Sequence, residues 1–176
     1  MNTIAHHLAA VRARIVQAEL RFGRTPGSVS LLAVSKSHPA AAIRAAYAAG
    51  QFLFGESYAQ EAVAKLDLVM DLPLEWHFIG PLQSNKTRDV AARFAWVQSV
   101  ERGKIARRLN EQRPAALPPL NVCIQVNVSG ETSKSGALPA EVAVLAQEIR
   151  ALPQLRLRGL VAIPAPQTDF EKQRAG

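Results

Sequence analysis

Cysteine is almost absent from this 176-residue sequence, and because Cys123 is the only one, no intramolecular disulfide can form. A lone thiol in the strand-like run NVCIQVNV indicates a small buried side chain in a reducing compartment, so the predicted location is the cytoplasm.

No run of about 18 apolar residues occurs, which excludes a membrane-spanning helix. Arginines interrupt the amino-terminal segment, which predicts an amphipathic helix and not a secretory signal. The apolar side of that helix would carry Ile4, Leu8, Val11, Ile15 and Leu20.

Several common binding motifs are also missing. No G-x-G-x-x-G follows the first predicted strand and no G-x-x-x-x-G-K-[ST] occurs, so those two kinds of nucleotide site are not indicated. His77 has no partner at H-x-x-x-H or H-x-E spacing, and no metal site is predicted. We interpret His77 as a half-buried strand residue with a hydrogen-bond partner nearby.

Positive charge is in excess, with a net charge of +7. This balance is compatible with an anionic ligand, with nucleic acid, or with solubility alone. A nucleic-acid-binding module needs basic side chains clustered on one face with aromatic residues between them. Lysine and arginine are scattered here and aromatic residues make up only 6%, so this class of protein is disfavoured.

What the sequence does contain is a regular alternation of apolar runs and helical patterns. The runs of strand length lie at Ser30–Ser35, Gln51–Phe54, Glu75–Ile79, Phe94–Val100, Asn121–Val128 and Leu157–Ile163. The helical patterns between them lie at Pro39–Ala49, Tyr58–Leu66, Asn85–Ala92, Gly103–Gln112 and Pro139–Ala151. Alternation of this kind predicts βαβ units and a parallel sheet. A single domain over residues 1–176 is expected, with the proline-rich segment 113–120 as a loop within it.

Periodicity alone does not distinguish an open, doubly wound sheet from a closed barrel. The short segments that follow the runs are polar or contain glycine, among them SKSHP, FGESYAQE and IGPLQSNKTR. Barrel sites are assembled from the loops after successive strands, whereas an open sheet concentrates its chemistry at one switch point. The distribution therefore predicts a TIM-type (β/α) barrel with a site at the carboxyl ends of its strands.

Three of these loops carry candidate binding residues. Lys36 follows the first strand, where an apolar environment would favour the neutral amine and allow it to form an imine; the alternative is an ordinary surface lysine. Ser84 and Asn85 offer a hydroxyl and an amide at the barrel mouth, or one of them caps the next helix. Lys134 in SGETSKSG fits an anion-binding loop or a flexible turn. Each signal alone is weak.

Together and in order, the motifs AVSKSHP, FGESYAQE, WHFIGPLQSNKTR, NVCIQVNVSGETSKSG and LRGLVAIPAP resemble those of one family. It is the pyridoxal-phosphate homeostasis proteins, a YggS-like group related to the barrel domain of alanine racemase, and the resemblance covers nearly the whole chain. It implies a barrel holding pyridoxal 5′-phosphate (PLP) as a Schiff base on Lys36, with Asn85 and the segment from Phe54 to Ser57 beside the cofactor. It also implies binding and buffering of PLP without firm substrate turnover, with PLP-dependent client enzymes as partners. The expected cofactor-binding set is Lys36, Phe54, Ser57, Ser84, Asn85 and Lys134.

Two departures from the family pattern bear on these expectations. Most members have asparagine where this chain has Ser57, which removes an amide beside the ring. The family continues past AIPAP through two further βα units that hold the phosphate. This chain is therefore expected to supply about six of the eight βα units of a barrel.

The alternative function is that of a PLP-dependent amino-acid racemase using the same lysine. Such an enzyme needs a second acid–base residue, usually tyrosine, on the opposite face of the ring. The only tyrosines are Tyr47 and Tyr58, and both are predicted within helices and not in strand-end loops. This pattern argues against racemisation.

Overall fold

The computed structural model describes residues 3–130, 135–164, 166, 168, 169, 171 and 174. Within these residues six strands form one sheet: β1 Ala33–Val34, β2 Leu53–Glu56, β3 Glu75–Phe78, β4 Trp96–Val100, β5 Leu120–Val126 and β6 Leu155–Ala162. Six α-helices accompany them in this part of the chain: α1 Ile4–Arg21, α2 Ala40–Ala48, α3 Ala59–Asp67, α4 Thr87–Arg93, α5 Gly103–Gln112 and α6 Val142–Arg150. Every strand and helix predicted from the sequence is confirmed.

The order of the strands decides between the two predicted architectures. The described strands lie in the order β1-β2-β3-β4-β5-β6, and each pairing is parallel. A doubly wound sheet reverses its strand order at a switch point, and this sheet does not. The order is that of a (β/α) barrel, so the predicted fold class is confirmed, with β1 and β6 as the two edges of the described sheet.

The largest difference from the predicted boundaries is at β1. The run Ser30–Ser35 was expected to be extended, but the ladder with β2 covers only Ala33–Val34. The chain leaves the sheet after Ser35 because the His38 N–H donates to the Ser35 carbonyl at 3.0 Å and closes a turn. The consequence is a tight loop, and not strand, around Lys36.

The hydrophobic core lies between the sheet and the helices that cover its outer face. The strands contribute Phe54, Trp76, Phe78, Val97, Val122 and Ile124, and the helices contribute Ile43, Ala62, Val90, Ile105, Leu109 and Ile149. Full burial of each large apolar side chain stabilises the fold by about 1.5–3 kcal/mol. Because successive strand residues point to opposite faces of the sheet, the strand residues between these core positions point to the barrel interior.

Helix α1 differs from the prediction in how it attaches to the sheet. Leu8 packs against the core, as expected for an amphipathic helix. However, Leu20 is 63% exposed, and Ile4 and Val11 are each more than a third exposed. The predicted apolar side is therefore only partly covered in the described structure.

Two polar side chains anchor α1 instead. Arg12 donates to the carbonyls of Ala49 at 2.8 Å and Gly50 at 2.7 Å, where α2 ends. Glu19 is buried and accepts the backbone N–H groups of Gly27 at 2.9 Å and Val29 at 2.7 Å. These two N–H groups, that of Gly27 first, hold the pKa of the Glu19 carboxyl below its ordinary value. Hydrogen bonds to carbonyls and amides that would otherwise lack partners thus position the helix.

The proline-rich segment is a loop between α5 and β5, and Arg113 fixes its start. This buried guanidinium donates to the carbonyls of Ala91 at 2.6 Å and Phe94 at 2.8 Å, at the end of α4. It also donates to the Pro118 carbonyl at 2.9 Å. Burial lowers the pKa of Arg113 from its ordinary value. The side chain satisfies carbonyls that the end of a helix leaves without partners.

Candidate functional site

The turn that follows β1 presents Lys36. Ser35 extends the ladder by donating its N–H to the Gly55 carbonyl at 3.0 Å, and the His38 N–H closes the turn. Lys36 and Ser37 occupy the two central positions, and Ser37 has a φ of 62°, which residues other than glycine seldom adopt. Lys36 thus lies at the carboxyl end of β1, as predicted. It is exposed, so the apolar environment expected from the sequence is not found.

The ends of β2 and β3 contact each other beside this turn. Ser57 follows β2 and Gly80 follows β3. A Cβ added to the buried Gly80 would lie 2.0 Å from the Ser57 carbonyl oxygen, so only glycine allows this approach. The Ile79 N–H also donates to the Glu56 carbonyl at 2.8 Å. These contacts fix the position of the Ser57 loop relative to the loop after β3.

A cavity of about 310 Å³ opens between the same two loops. Its polar lining includes Ser57, Tyr58, Gln83 and Lys86. Tyr58 is 57% exposed and directly precedes α3, so the prediction that both tyrosines lie within helices is wrong for Tyr58. The residue that precedes a helix often fits its periodic pattern, which is why the sequence did not separate the two positions. Tyr47 lies in α2, as predicted.

Ser84 and Asn85 lie in a short 3₁₀ turn, Ser84–Lys86, that leads into α4. The Ser84 carbonyl accepts the Thr87 hydroxyl at 2.9 Å and Arg108 Nε at 2.9 Å, which holds the backbone of this turn in place. Lys86 occupies the N-cap position of α4 without a capping hydrogen bond from its side chain, so neither Ser84 nor Asn85 occupies that position. Ser84 is half-buried and Asn85 is exposed, and both lie at the strand-end surface.

Two further residues of the predicted set have different outcomes. The side chain of Phe54 is 1% exposed and packs in the core, where its ring lies 5.5 Å from that of Trp76. It also lines a small apolar cavity with Leu8 and Ile43, on the helix side of the sheet. Phe54 therefore packs on the helix side of the sheet, and its side chain does not reach the strand-end surface. Lys134 lies outside the described residues.

A buried ion network next to the Lys36 turn was not predicted. Lys65 Nζ lies 2.7 Å from Glu56 Oε1 and 2.9 Å from Glu61 Oε1. Its ammonium also donates to the Ser35 carbonyl at 2.7 Å, and the Ser35 hydroxyl donates to Glu56 Oε1 at 2.6 Å. The Lys65 ammonium, followed by the Ser37 N–H, holds the pKa of Glu61 below its ordinary value. The i,i+4 spacing of Glu61 and Lys65 was the available sequence signal.

A second polar group lies on the inner face of the sheet, on β3 and β4. His77 lies in a strand, as predicted, but it is buried and not half-buried, and it stacks on Trp96 with 5.2 Å between ring centroids and 7° between ring planes. Its Nδ1 lies 2.9 Å from Gln98 Nε2, and its Nε2 lies 3.0 Å from Glu75 Oε1. Burial lowers the pKa of His77, and this effect exceeds the opposing influence of Glu75. Cys123 is a buried thiol, as predicted, and burial raises its pKa.

The surroundings of His77 predict how stability depends on pH. Because the folded protein holds a proton on His77 less tightly than the unfolded chain does, the unfolded chain takes up more protons as pH falls through 6.5. The stability that neutral His77 provides is fully present above that pH and is lost below it. We expect the urea midpoint to fall between pH 7.5 and pH 5.5 by more in the wild type than in His77→Asn. Equal pH dependence in the two proteins would contradict this.

Three successive strand ends thus lie side by side, since parallel neighbours bring their carboxyl ends to one edge. They carry the Lys36 amine, the Ser57 and Ser84 hydroxyls and the Asn85 amide. An amine condenses with an aldehyde, and hydroxyl and amide groups donate hydrogen bonds to anions and ring substituents. Among the described residues no group of three or more histidine, cysteine or acidic side chains could hold a metal ion.

Comparison with known proteins identifies the family of this barrel. The family model for the alanine racemase N-terminal domain matches residues 6–175. The pyridoxal phosphate homeostasis protein of Pseudomonas aeruginosa is 60% identical over 175 residues, which are 99% of this chain and 76% of that protein. The protein of the same name from Escherichia coli K12 is 56% identical over 98% of this chain and 75% of its own length. This chain belongs to the pyridoxal phosphate homeostasis protein family.

Solved structures of similar proteins agree with the fold described above. PipY of Synechococcus elongatus, solved without PLP, superposes with a TM-score of 0.84 at 40% identity, covering 98% of this chain and 77% of that one. The same protein with PLP bound gives a TM-score of 0.81, covering 98% and 76%. Alanine racemase of Corynebacterium glutamicum, at 16% identity and a TM-score of 0.61 over 90% of this chain and 43% of that one, shares the fold. In the described residues no helix is long and apolar enough to cross a membrane.

Proposed function

We propose that this chain binds PLP covalently through Lys36. The observation that carries the proposal is the place of Lys36, an exposed amine in the turn after β1, beside the loops that bear Ser57 and Asn85. PLP is also the ligand bound in the PipY structure, and PLP homeostasis is the name of the curated relatives. The donor set at the strand ends fits this ligand, since it combines one accessible amine with hydroxyl and amide groups.

The chemistry that PLP supplies when bound is an aldehyde beside a ring that carries a phosphate. Lys36 would contribute the amine that condenses with this aldehyde carbon, with the loss of one water molecule. Ser84 and Asn85 would orient the ligand through hydrogen bonds, on a turn whose backbone Arg108 and Thr87 hold in place. Ser57 offers a single hydroxyl donor where an asparagine would offer two amide N–H donors, so its hold on the ligand is weaker.

The proposed role is to bind and buffer PLP and to release it to PLP-dependent client enzymes in the cytoplasm. An exposed Lys36 supports this role, because bound PLP remains within reach of solvent and of an acceptor amine. The single buried cysteine supports a reducing compartment. Transfer is tested by mixing the PLP-loaded protein with an apo-enzyme and measuring whether its activity returns faster than with PLP trapped by an unrelated amine.

Covalent labelling tests the proposal directly. Added PLP is expected to give a visible absorption band, and borohydride reduction followed by peptide mapping should place the pyridoxyl mass on Lys36. Lys36→Ala should lose both signals, because no other residue of that turn carries an amine and the neighbouring Lys65 is buried and paired with Glu56, whereas Lys104→Ala, at the exposed start of α5, should keep them. Label found mainly on Lys86 or Lys134, or unchanged in Lys36→Ala, would overturn the assignment.

The position of Tyr58 favours a racemase as the second candidate, because this tyrosine lies in a strand-end loop on the cavity wall. We nevertheless expect no Cα deuterium exchange of alanine above that of free PLP, because a tyrosine that is 57% exposed is not held against a reacting carbon. Proton transfer without a placed acid or base loses about 10²–10⁴ in rate. Exchange well above that background, which disappears in Tyr58→Phe, would favour the racemase instead.

A further inference from the structure

The ion network beside the Lys36 turn contacts the chain on both sides of that lysine. We propose that Glu56, Lys65 and Glu61 position Lys36 for its reaction with PLP by holding the two residues that flank it. The inference rests on the proposed function of Lys36. It assigns a role to three charged residues that do not themselves contact the ligand in that proposal.

On the amino-terminal side, the network holds Ser35. Lys65 Nζ donates to the Ser35 carbonyl at 2.7 Å, and Glu56 Oε1 accepts the Ser35 hydroxyl at 2.6 Å. The same carbonyl accepts the His38 N–H that closes the turn. Both the backbone and the side chain of the residue before Lys36 are therefore held by buried charges, and such hydrogen bonds are short and strong.

On the carboxyl-terminal side, the network holds Ser37. Glu61 Oε1 accepts the Ser37 N–H at 2.7 Å and the Lys65 ammonium at 2.9 Å. Ser37 has a φ of 62°, a conformation that is unfavourable for a residue with a Cβ and persists only where its surroundings enforce it. The Glu61 hydrogen bond supplies that enforcement, so it determines the direction in which the turn carries Lys36.

The composition of the network favours positioning over stability as its role. The Glu56 side chain is 0% exposed, and among the described residues its Oε2 has no hydrogen-bond partner. Buried ion pairs of this kind are often no more stabilising than apolar side chains of similar volume. Glu61, by contrast, is 36% exposed, so it can be replaced without leaving a buried charge in its place.

The test compares Glu61→Ala with Glu61→Gln in the full chain, with Glu111→Ala as an exposed control on α5. Two quantities are measured: amide hydrogen exchange at Ser37 and the rate at which PLP forms a borohydride-reducible adduct on Lys36. In Glu61→Ala we expect Ser37 exchange to be about tenfold faster and adduct formation about tenfold slower, the effect of losing one charge-assisted hydrogen bond. In Glu61→Gln, the Ser37 exchange rate and the adduct rate should both stay close to their wild-type values, because the amide oxygen still accepts the Ser37 N–H.

Each outcome decides the proposal. An unchanged adduct rate in Glu61→Ala, or unchanged Ser37 exchange, overturns it. So does a slower rate that Glu61→Gln does not restore and that follows a lower urea midpoint, since that pattern indicates a merely structural role. If the wild type forms no adduct on Lys36, the proposed function fails, and Ser37 exchange still shows whether the network holds the turn.

Discussion

Replacing Gly80 with alanine is expected to destabilise the fold by about 3 kcal/mol or more and to abolish PLP binding. A Cβ at this position would lie 2.0 Å from the carbonyl oxygen of Ser57 and 2.6 Å from its Cα. Both atoms belong to the backbone, so no rotation of a flexible side chain relieves the overlap. The loop after β2 must therefore move away from the loop after β3, and the cavity between them changes shape.

Urea unfolding followed by circular dichroism measures the first effect, and the PLP absorption band measures the second. The matched control is Gly159→Ala in β6, where an added Cβ meets no atom within 4 Å. We expect that substitution to change stability by about 0.5 kcal/mol or less. A urea midpoint of Gly80→Ala equal to that of the wild type would show that the two loops do not approach each other as described.

Replacing Lys65 with methionine is expected to lower the free energy of unfolding by about 3–5 kcal/mol, which is the second large effect. The Lys65 and Glu56 side chains are 7% and 0% exposed, so removing the ammonium leaves the Glu56 carboxylate buried without a counter-charge. Lys104→Met, an exposed lysine on α5, should change the urea midpoint little. Equal effects of the two substitutions would mean that the Glu56–Lys65 pair is not buried.

The double variant Glu56→Leu with Lys65→Met separates stability from positioning. Because both buried charges are removed together, we expect it to recover most of the stability that Lys65→Met loses. The hydrogen bonds to Ser35 remain absent, so PLP adduct formation on Lys36 should stay slow. Recovery of adduct formation along with stability would argue that the network contributes to folding alone.

Much of the fold could be predicted because it depends on local patterns. Apolar runs and helical spacing located all six strands and six helices of the described chain, and the polar loop after each run indicated the barrel. The position of Lys36 followed from the end of its run. The surroundings of Lys36 could not be predicted. The edge strand β1 has only two paired residues, so the chain leaves it in an exposed turn that the apolar run does not reveal.

Other features of the site depend on contacts between segments that are distant in sequence. Phe54 fits the family motif, yet the alternation of β2 places its side chain in the core. Gly80 reads as an ordinary turn glycine until β2 and β3 are paired, when it lies against Ser57. Tyr58 looked helical because the helical pattern extends one residue beyond the helix itself.

The sequence by itself determined the parallel βα architecture, the family and the lysine at the end of the first strand, since periodicity and short motifs are local properties of the chain. Only the tertiary structure decided what surrounds that lysine. Glu56 and Lys65 lie on a strand and a helix, and Ser35 lies on the neighbouring strand end, so their contacts exist only once β1 pairs with β2 and α3 packs against them. Charges come together there because a buried ammonium needs nearby oxygen partners, and folding brings them from three segments of the chain.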